Sequence, residues 1–409
     1  MYLASMIHRE RLFRLTSRWF ADALEPDDGR LLTEIFVYEF LVSSDTVQRF
    51  ASDVLRADGR APARWRRCFF KDELRQAIVE ACRSTSRRTL ELLELFAARP
   101  EEFFPRTPTD LLVVSHADAA LAGMLRFKSI RRLAEKASRR IADRLSEEIG
   151  ATARALAEAR AHAVGLSLPQ LVSSPETMAE EFASAERIVS QEFQERCMVL
   201  EPRHMTIDDA IGLKFVGSGT ELERIESAVR QHPDAHVAER SVHTGRYRDT
   251  QLLVDLQLPP PAAIIARHRG RDWSPARSRG LCPDALERDF PIYVETGERT
   301  IRCEIILTTF DDLVESEFGR CMHEERILQQ RGAAPYRGRI ARNASFIIEY
   351  LLMVAISPTV AVPALPVKMW GRYLEDAFSS AVWALFGVDH RFGLSAPFEV
   401  EPAAGSTRA

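Results

Sequence analysis

The chain has 409 residues, of which 46% are hydrophobic, and its 55 basic residues nearly balance its 59 acidic ones. This length and apolar content predict two or three packed domains, and they exclude a disordered tail or a strongly basic protein that coats nucleic acid. The six cysteines have no closely spaced pair typical of a zinc or redox site, and the first twenty residues lack the apolar core of a signal peptide, so we predict a cytoplasmic protein.

Residues 1–120 are predicted to form a helical N-terminal region. Apolar residues repeat at three and four positions in LLTEIFVYEFLVSSDTVQRFASDVL and in KDELRQAIVEACRSTSRRTLELLELF. The Gly and Pro residues of ADGRAPARW separate the two predicted helices.

Residues 121–200 are predicted to form a helical segment that carries a basic motif. Its apolar positions on one helix face are Ile130, Leu133, Ala137, Ile141, Leu145 and Ile149. In RFKSIRRLAEKASRR, the cations Lys128, Arg132 and Lys136 recur every four residues. Such a stripe binds phosphate groups in some proteins, and in others it is only a solvated helix face.

Residues 201–330 are predicted to form an α/β domain, because the apolar residues change from helical spacing to short runs with near-alternation. The runs IGLKFV, TQLLVDLQL, PIYVET and IRCEIILTT predict strands, and Glu221–Gln231 predicts a helix. The insertion PPPAAIIARHRGRDWSPARSRGLCPD predicts an exposed loop. Its five arginines between Arg267 and Arg279 form either a phosphate-attracting patch or part of a solvated insertion.

Residues 331–409 are predicted to be mostly helical. The uncharged stretch Tyr350–Val367 is about as long as a membrane span, but Pro358, Pro363 and Pro366 interrupt it. We therefore predict a buried helix that ends near Ile356 and an apolar extended segment after it, with membrane insertion as the less favoured alternative. The fold class is predicted to be α+β, with a mixed β-sheet flanked by helical regions at both ends of the chain.

Two acidic side chains are candidates for a metal site on the predicted sheet. Glu304 is the one acid in the predicted strand IRCEIILTT, and Asp209 lies at the start of another strand. Carboxylates from two neighbouring strands are what Mg²⁺ bound to a nucleotide needs. Alternatively, Asp208 and Asp209 cap a turn and Glu304 pairs with Arg302 or another base.

A tyrosine between two arginines is a candidate nucleotide contact. Tyr247 lies between Arg246 and Arg248, just before the strand TQLLVDLQL. A base can stack on such a ring while arginines contact phosphate, although an ordinary strand-edge tyrosine fits the pattern equally well.

Taken in chain order, these motifs resemble the synthetase domain of the RelA/SpoT family, which makes guanosine tetra- and pentaphosphate alarmones. RFKSIRRLAEK is similar to the basic motif of that family, DAIGLKFV to its Asp-x-x-Gly-Ile-Arg strand, RYRDTQLLV to its Gly-Tyr-Arg-Ser-x-His segment, and CEIILTT to its Val-Glu-Ile-Gln-Ile-Arg-Thr strand. The resemblance covers about half of the chain, from Leu121 to Gln330, and it implies a nucleotidyltransferase-like fold.

The resemblance implies roles for particular residues. Asp209 and Glu304 would be the catalytic acids and the Mg²⁺ ligands, and the nucleotide-binding residues would be Arg126, Lys128, Lys136, Lys214, Tyr247 and Arg248. The implied reaction is transfer of pyrophosphate from ATP to the 3'-hydroxyl of an acceptor nucleotide, with a guanosine nucleotide as the first candidate. Glu304 would also help to remove the hydroxyl proton.

The sequence departs from the family pattern at several positions. Asp249 and Gln251 replace Ser and His of the tyrosine motif, Ile306 and Thr308 replace Gln and Arg of the glutamate strand, and the stretch between Lys136 and Asp209 is longer. Two alternatives therefore stay open: an inactive nucleotide-binding regulator with this fold, and a toxin-type transferase acting on adenosine nucleotides or RNA.

The chain also lacks the adjacent His-Asp pair of the alarmone hydrolase half, so the N-terminal helical region is interpreted as regulatory or as the contact for a protein partner. A homo-oligomer is expected. Binding to nucleic acid is not favoured, and membrane contact is unlikely.

Overall fold

The computed structural model describes residues 1–57, 59, 64–103, 108–116, 118–172, 175–195, 201–244, 248–319 and 339–388. The strands are β1 (Tyr2–Leu3), β2 (Arg64–Phe70), β3 (Pro108–Ser115), β4 (Leu121–Phe127), β5 (Thr206–Ile207), β6 (Ile211–Val216), β7 (Ala235–His243), β8 (Asp249–Gln257) and β9 (Thr300–Thr308).

Helices of very different lengths surround the strands. They are α1 (Arg9–Phe20), α2 (Asp28–Ala57), α3 (Lys71–Glu80), α4 (Arg87–Ala98), α5 (Ile130–Ala163), α6 (Leu168–Leu171), α7 (Pro175–Gln194), α8 (Pro202–Met205), α9 (Gly219–Gln231), α10 (Pro261–His268), α11 (Pro283–Thr296), α12 (Phe310–Phe318), α13 (Arg339–Ile356) and α14 (Glu375–Leu385).

A seven-stranded mixed sheet organises the fold, in the order β2-β3-β4-β6-β9-β8-β7. β6 and β9 run parallel, and every other neighbouring pair in this sheet is antiparallel. A separate short parallel pair joins β1 to β5. The predicted α+β class, with a mixed sheet and flanking helices, is therefore confirmed.

One face of the sheet is buried under a layer of helices. Side chains of β4, β6, β8 and β9 pack there with α2, α5, α9 and α13 in one large core. The predicted apolar stripe of α5 belongs to this core: Ile130 packs against it partly buried, and the other five positions are buried. Burial of this stripe, rather than helix propensity, holds so long a helix in place.

Among the described residues, helices cover the other face of the sheet at one end. Helices α3, α4 and α12 pack against β2, β3 and β4 in a second, smaller core. Beyond that cover, β6 and β9 place Lys214 and Glu304 on this face, in alternation with residues that point into the large core. This part of the sheet carries the charged groups that the sequence singled out.

The expectation of a helical first third is wrong in part, because β2 and β3 belong to the central sheet and Leu121–Phe127 is a strand. β4 packs into both cores: Ala122 and Leu125 face one, and Leu121 and Met124 face the other. A strand buried on both faces loses its alternating pattern, so its sequence is easily taken for a buried helix. The sheet therefore crosses the boundaries drawn at residues 120 and 200.

Two further expectations between residues 259 and 296 are wrong. The run PIYVET lies within α11, where buried Leu286, Phe290 and Tyr293 recur at helical spacing. The insertion is not simply an exposed loop, since it contains α10 and buries Ile264 and Trp273. Its Arg267 pairs with Asp45 of α2.

The apolar stretch Tyr350–Val367 is packed inside the protein. The helix ends at Ile356, as predicted, and the following extended segment buries Val362 and Leu365 in the large core. Among the described residues, no helix combines the length and the apolar character needed to cross a membrane.

The extended segment approaches α2 closely at Gly29. A Cβ atom added there would lie 2.2 Å from the Val360 carbonyl oxygen and 2.9 Å from Val362 Cγ2. We therefore expect Gly29→Ala to lower the free energy of unfolding by about 1 to 3 kcal/mol, the usual cost of overpacking. Urea unfolding followed by circular dichroism measures this change.

Gly150→Ala is the matched control. Gly150 lies inside α5, and an added Cβ there would meet nothing within 4 Å. This substitution should be neutral or stabilising by about 0.5 to 1 kcal/mol, because alanine is the better helix former. Equal effects of the two substitutions would contradict the close approach at Gly29.

Candidate functional site

Asp209 is positioned by the strands on either side of it. It lies between β5, which pairs with β1, and β6, which pairs with β4. The Lys128 amide, just after β4, donates to the Ala210 carbonyl oxygen at 3.0 Å. The end of β4 thus runs beside the start of β6, and Lys128 comes next to Asp209.

Two lysines converge on the Asp209 carboxylate. The Nζ atom of Lys128 lies 2.6 Å from Asp209 Oδ2, and the Nζ atom of Lys136 donates to the same oxygen. Ser129 caps the N-terminus of α5 by accepting from the Arg132 amide, and Lys136 extends back from the second turn of this helix. Two lysines of the basic motif therefore contact the same acid. Lys128 lies just before α5 and not on it.

Glu304 lies beside this group on the neighbouring strand. β9 pairs in parallel with β6, so that Glu304 is opposite Gly212 in register. Because Gly212 has no side chain, the space above it stays open, and a Cβ there would lie 3.5 Å from Glu304 Oε2. The side-chain Nε2 atom of Gln251, on β8, donates to Glu304 Oε1.

The two carboxylates have opposite electrostatic environments. Burial by itself would raise the pKa of Asp209, but Lys128 and Lys136 outweigh it and hold that pKa below its ordinary value. For Glu304, burial dominates and raises the pKa, with Asp209 adding to the rise and Lys128 opposing it. Burial also lowers the pKa of the Lys128 ammonium. Such paired shifts are typical of functional sites, although structural ion pairs also produce them.

A second charged group adjoins the first on the same face. Lys214 of β6 and Arg126 of β4 interact electrostatically with Glu317 of α12. Burial would raise the pKa of Glu317, but Lys71, Lys214 and Arg126 lower it to about 2. Burial also lowers the pKa of Lys214.

Sequence reasoning missed the contribution of α3 and α12 to this second group. Lys71 Nζ lies 3.4 Å from Glu317 Oε2, and Arg75 Nε donates to the Glu317 carbonyl oxygen at 3.0 Å. No spacing links residues 71 and 317. Glu317 also looks like the other acids of its helix, FDDLVESEF, so its sequence carries no signal that it contacts Lys71.

Asp208 belongs to a different network. Arg302 binds Asp255 through two hydrogen bonds of 2.7 and 2.9 Å, and its Nη1 lies 3.4 Å from Asp208. The alternative pairing of Glu304 with Arg302 is therefore not observed, and Asp208 pairs with Arg302 instead. Arg132 pairs with Glu135 rather than with Asp209.

Only part of the tyrosine motif can be located. Tyr247 lies outside the described residues. The amide of the exposed Arg248 donates to Asp312 Oδ1 at 3.1 Å, and its carbonyl oxygen lies 3.4 Å from Thr308 Oγ1. Asp249 Oδ1 lies 2.6 Å from Nδ1 of His243.

Asp209 and Glu304 fit Mg²⁺ only if ligands from outside the protein complete the coordination of the ion. In the described part of the chain, no group of three or more His, Cys, Asp or Glu side chains is placed to hold a metal ion. Mg²⁺ often takes one or two protein carboxylates and completes its coordination with substrate phosphates and water. The two acids therefore suit Mg²⁺ that arrives with a nucleotide, rather than a resident metal held by protein alone.

Comparisons of the chain with protein-family models, with curated proteins and with solved structures found no match.

The opposite pKa shifts predict opposite effects of neutralising the two acids. At pH 8, Asp209→Asn should lower the free energy of unfolding by about 1 to 3 kcal/mol, because two lysines lose their anion. Glu304→Gln should leave it unchanged or raise it, because burial disfavours the Glu304 carboxylate. Urea unfolding of both variants at pH 5 and pH 8 measures these differences.

The sign of the pH dependence follows from linkage. The stability that the ionised Asp209 carboxylate adds to the folded protein is fully present above its ordinary pKa of 3.8. It is lost as pH falls through the lower pKa of the folded state. The stability that the protonated Glu304 carboxyl adds is fully present below its ordinary pKa of 4.5. It is lost as pH rises through the higher pKa of the folded state. Asp208→Asn serves as the control and should change stability by less than about 0.5 kcal/mol. Loss of stability in Glu304→Gln at pH 8 would contradict the assigned environment.

Proposed function

We propose that the chain is a nucleotide pyrophosphokinase that transfers pyrophosphate from ATP to the 3'-hydroxyl of an acceptor nucleotide. The observation that carries this proposal is the convergence of Lys128 and Lys136 on Asp209, beside Glu304 and on one sheet face. A guanosine nucleotide is the first candidate for the acceptor, from the resemblance to RelA/SpoT synthetases, and the product would then be an alarmone.

The cations of the site suit a triphosphate. Lys128 and Lys136 are held by Asp209, so these two ammonium groups are oriented before a ligand binds, and Lys214 and Arg126 interact electrostatically with Glu317. In phosphoryl transfer, positioning and charge neutralisation supply most of the rate enhancement. The phosphate oxygens of ATP would replace part of the carboxylate contacts around these cations.

Glu304 is the proposed general base. It would accept the proton of the 3'-hydroxyl while the acceptor oxygen forms a bond to the β-phosphorus and the bond from that phosphorus to the bridging oxygen of AMP breaks. Burial raises the pKa of Glu304, which makes its carboxylate a stronger proton acceptor. Gln251 would orient its carboxylate.

Asp209 and Glu304 would hold Mg²⁺ that enters with ATP. When bound, the ion would neutralise charge on the transferred phosphates.

The inactive regulator remains the second candidate, and two features favour it. Both lysines contact the same oxygen of Asp209, so this acid is neutralised before any metal ion arrives. In addition, neutral Thr308, whose hydroxyl lies 3.4 Å from the Arg248 carbonyl oxygen, occupies the place of the family arginine. A protein partner at the N-terminal helical region and self-association stay predictions.

A label-transfer assay tests the enzyme proposal. Purified protein is incubated with Mg²⁺, γ-labelled ATP and each of GTP, GDP, ATP, ADP and tRNA. We expect label to appear on a guanosine nucleotide, with transfer lowered about 10²- to 10⁴-fold by Glu304→Gln and about 10²-fold or more by Lys128→Ala. Transfer to ADP, ATP or tRNA instead would point to the toxin-type transferase.

Asp208→Asn is the matched control for this assay, because Asp208 adjoins Asp209 in the chain but pairs with Arg302. It should retain the transfer rate. Nucleotide binding without transfer to any acceptor, in wild type and variants alike, would favour the inactive regulator. Absence of both binding and transfer would argue against both candidates.

The role of Glu304 as base also predicts the pH dependence of transfer. The rate should rise with pH through an apparent pKa above the ordinary glutamate value of 4.5 and then level, because only the carboxylate accepts a proton. In Glu304→Gln this rise should be absent from the residual rate. A wild-type rate independent of pH between 5 and 8 would reject Glu304 as the base, provided that chemistry limits the rate.

A further inference from the structure

A cavity of about 780 Å³ lies away from the charged sheet face, between α7, α13 and the turn that follows the apolar extended segment. Its basic and aromatic lining residues are Arg187, Arg339, Arg342, Arg372 and Tyr373. Volumes of this size are typical of sites for small ligands. Cavity and sheet face are built from different residues, so what binds here does not depend on the proposed pyrophosphokinase activity.

In the part of the chain that the structure describes, none of the four arginines of the cavity has an acidic partner. Within the described residues, Arg187 bonds only to Ser184 Oγ at 3.0 Å, Arg339 bonds only to Ser190 Oγ at 3.2 Å, and neither Arg342 nor Arg372 takes part in an ion pair. The buried Arg339 Nε has no hydrogen-bond partner in this part of the chain. A buried donor of this kind calls for an acceptor.

Two carboxylates at the cavity do not neutralise it. Glu180 lies 3.7 Å from Arg160, outside the cavity lining, and Glu186 has an interaction of its own. Four guanidinium groups against two carboxylates leave an excess of two positive charges. Arg342, Arg372 and Arg187 are exposed, so a ligand can reach them from solvent.

The turn that presents Arg372 and Tyr373 is held in place from within. The side-chain Nδ2 atom of buried Asn343 lies 2.8 to 3.0 Å from three carbonyl oxygens, those of Lys368, Met369 and Gly371. Gly371 leaves the space that the Tyr373 ring fills, since a Cβ there would lie 2.0 Å from the ring. The basic wall of the cavity is therefore a preformed part of the fold.

We infer that this cavity is a second ligand site, which binds a small molecule carrying at least two phosphate groups. Arginine forks match phosphate oxygens in paired hydrogen bonds, and a concave wall with several of them favours a compact polyanion over an extended chain. The Tyr373 ring offers a surface for a base if the ligand is a nucleotide. A nucleoside polyphosphate and a free oligophosphate share this chemistry.

Calorimetric titration of the full-length protein with inorganic tripolyphosphate tests the inference, with ATP and GDP as separate arms. Arg342→Ala and Arg372→Ala should each weaken binding about tenfold, the usual effect of losing one charged hydrogen bond. Arg342→Lys should weaken it less, because it keeps the charge and loses only the paired geometry. In the protein that carries both Lys128→Ala and Lys136→Ala, tighter binding of ATP or GDP than of tripolyphosphate would identify a nucleotide as the ligand of the cavity.

Two controls separate this cavity from other sites. Arg87→Ala removes an exposed arginine that pairs only with Glu91 and should leave binding unchanged. Lys128→Ala with Lys136→Ala disables the charged sheet face and should also leave the tripolyphosphate site intact.

The inference fails if no probe binds, if Arg342→Ala and Arg372→Ala together leave affinity unchanged, or if the lysine variant abolishes all binding. Tighter binding of a single-stranded RNA oligonucleotide, weakened equally by Arg87→Ala, would assign the arginines to a diffuse surface and would also overturn it. These outcomes are independent of label transfer.

Discussion

The position of β6 between an antiparallel and a parallel neighbour is the constraint on which the charged site depends. Its register places Arg126 and Glu304 on either side of Gly212, and the end of β4 places Lys128 next to Asp209. Because α2, α5, α9 and α13 bury the opposite face, charged side chains of these strands have only one side of the sheet on which to lie.

The site keeps its charges in place by mutual compensation. Asp209 orients two lysines and Glu317 pairs with Lys71, whereas burial disfavours the ionised form of Glu304. A carboxylate in such an environment costs stability. This arrangement is typical of sites where chemistry, rather than packing, decides which residue is present.

Local patterns located the elements with one buried face. The alternation in β8 and β9, the run of β6, the stripe of α5 and the end of the helix at Ile356 were all readable from the sequence. β4 was not, because both its faces are buried, and α11 was not, because its β-branched and aromatic residues imitate a strand. Local composition does not distinguish a strand from a helix in such segments, because burial in the tertiary structure decides which one forms.

The sequence by itself determined which residues carry charge against an apolar background, and so it identified Asp209, Glu304 and the basic motif. Only the tertiary structure decided which of these charges meet, because Lys128 and Asp209 come together through strand pairing across 81 residues of chain. It also decided that Asp208 binds Arg302 and that Lys71 and Glu317 adjoin the site. Side-chain type is a local property, whereas burial and partner choice arise only when distant segments pack.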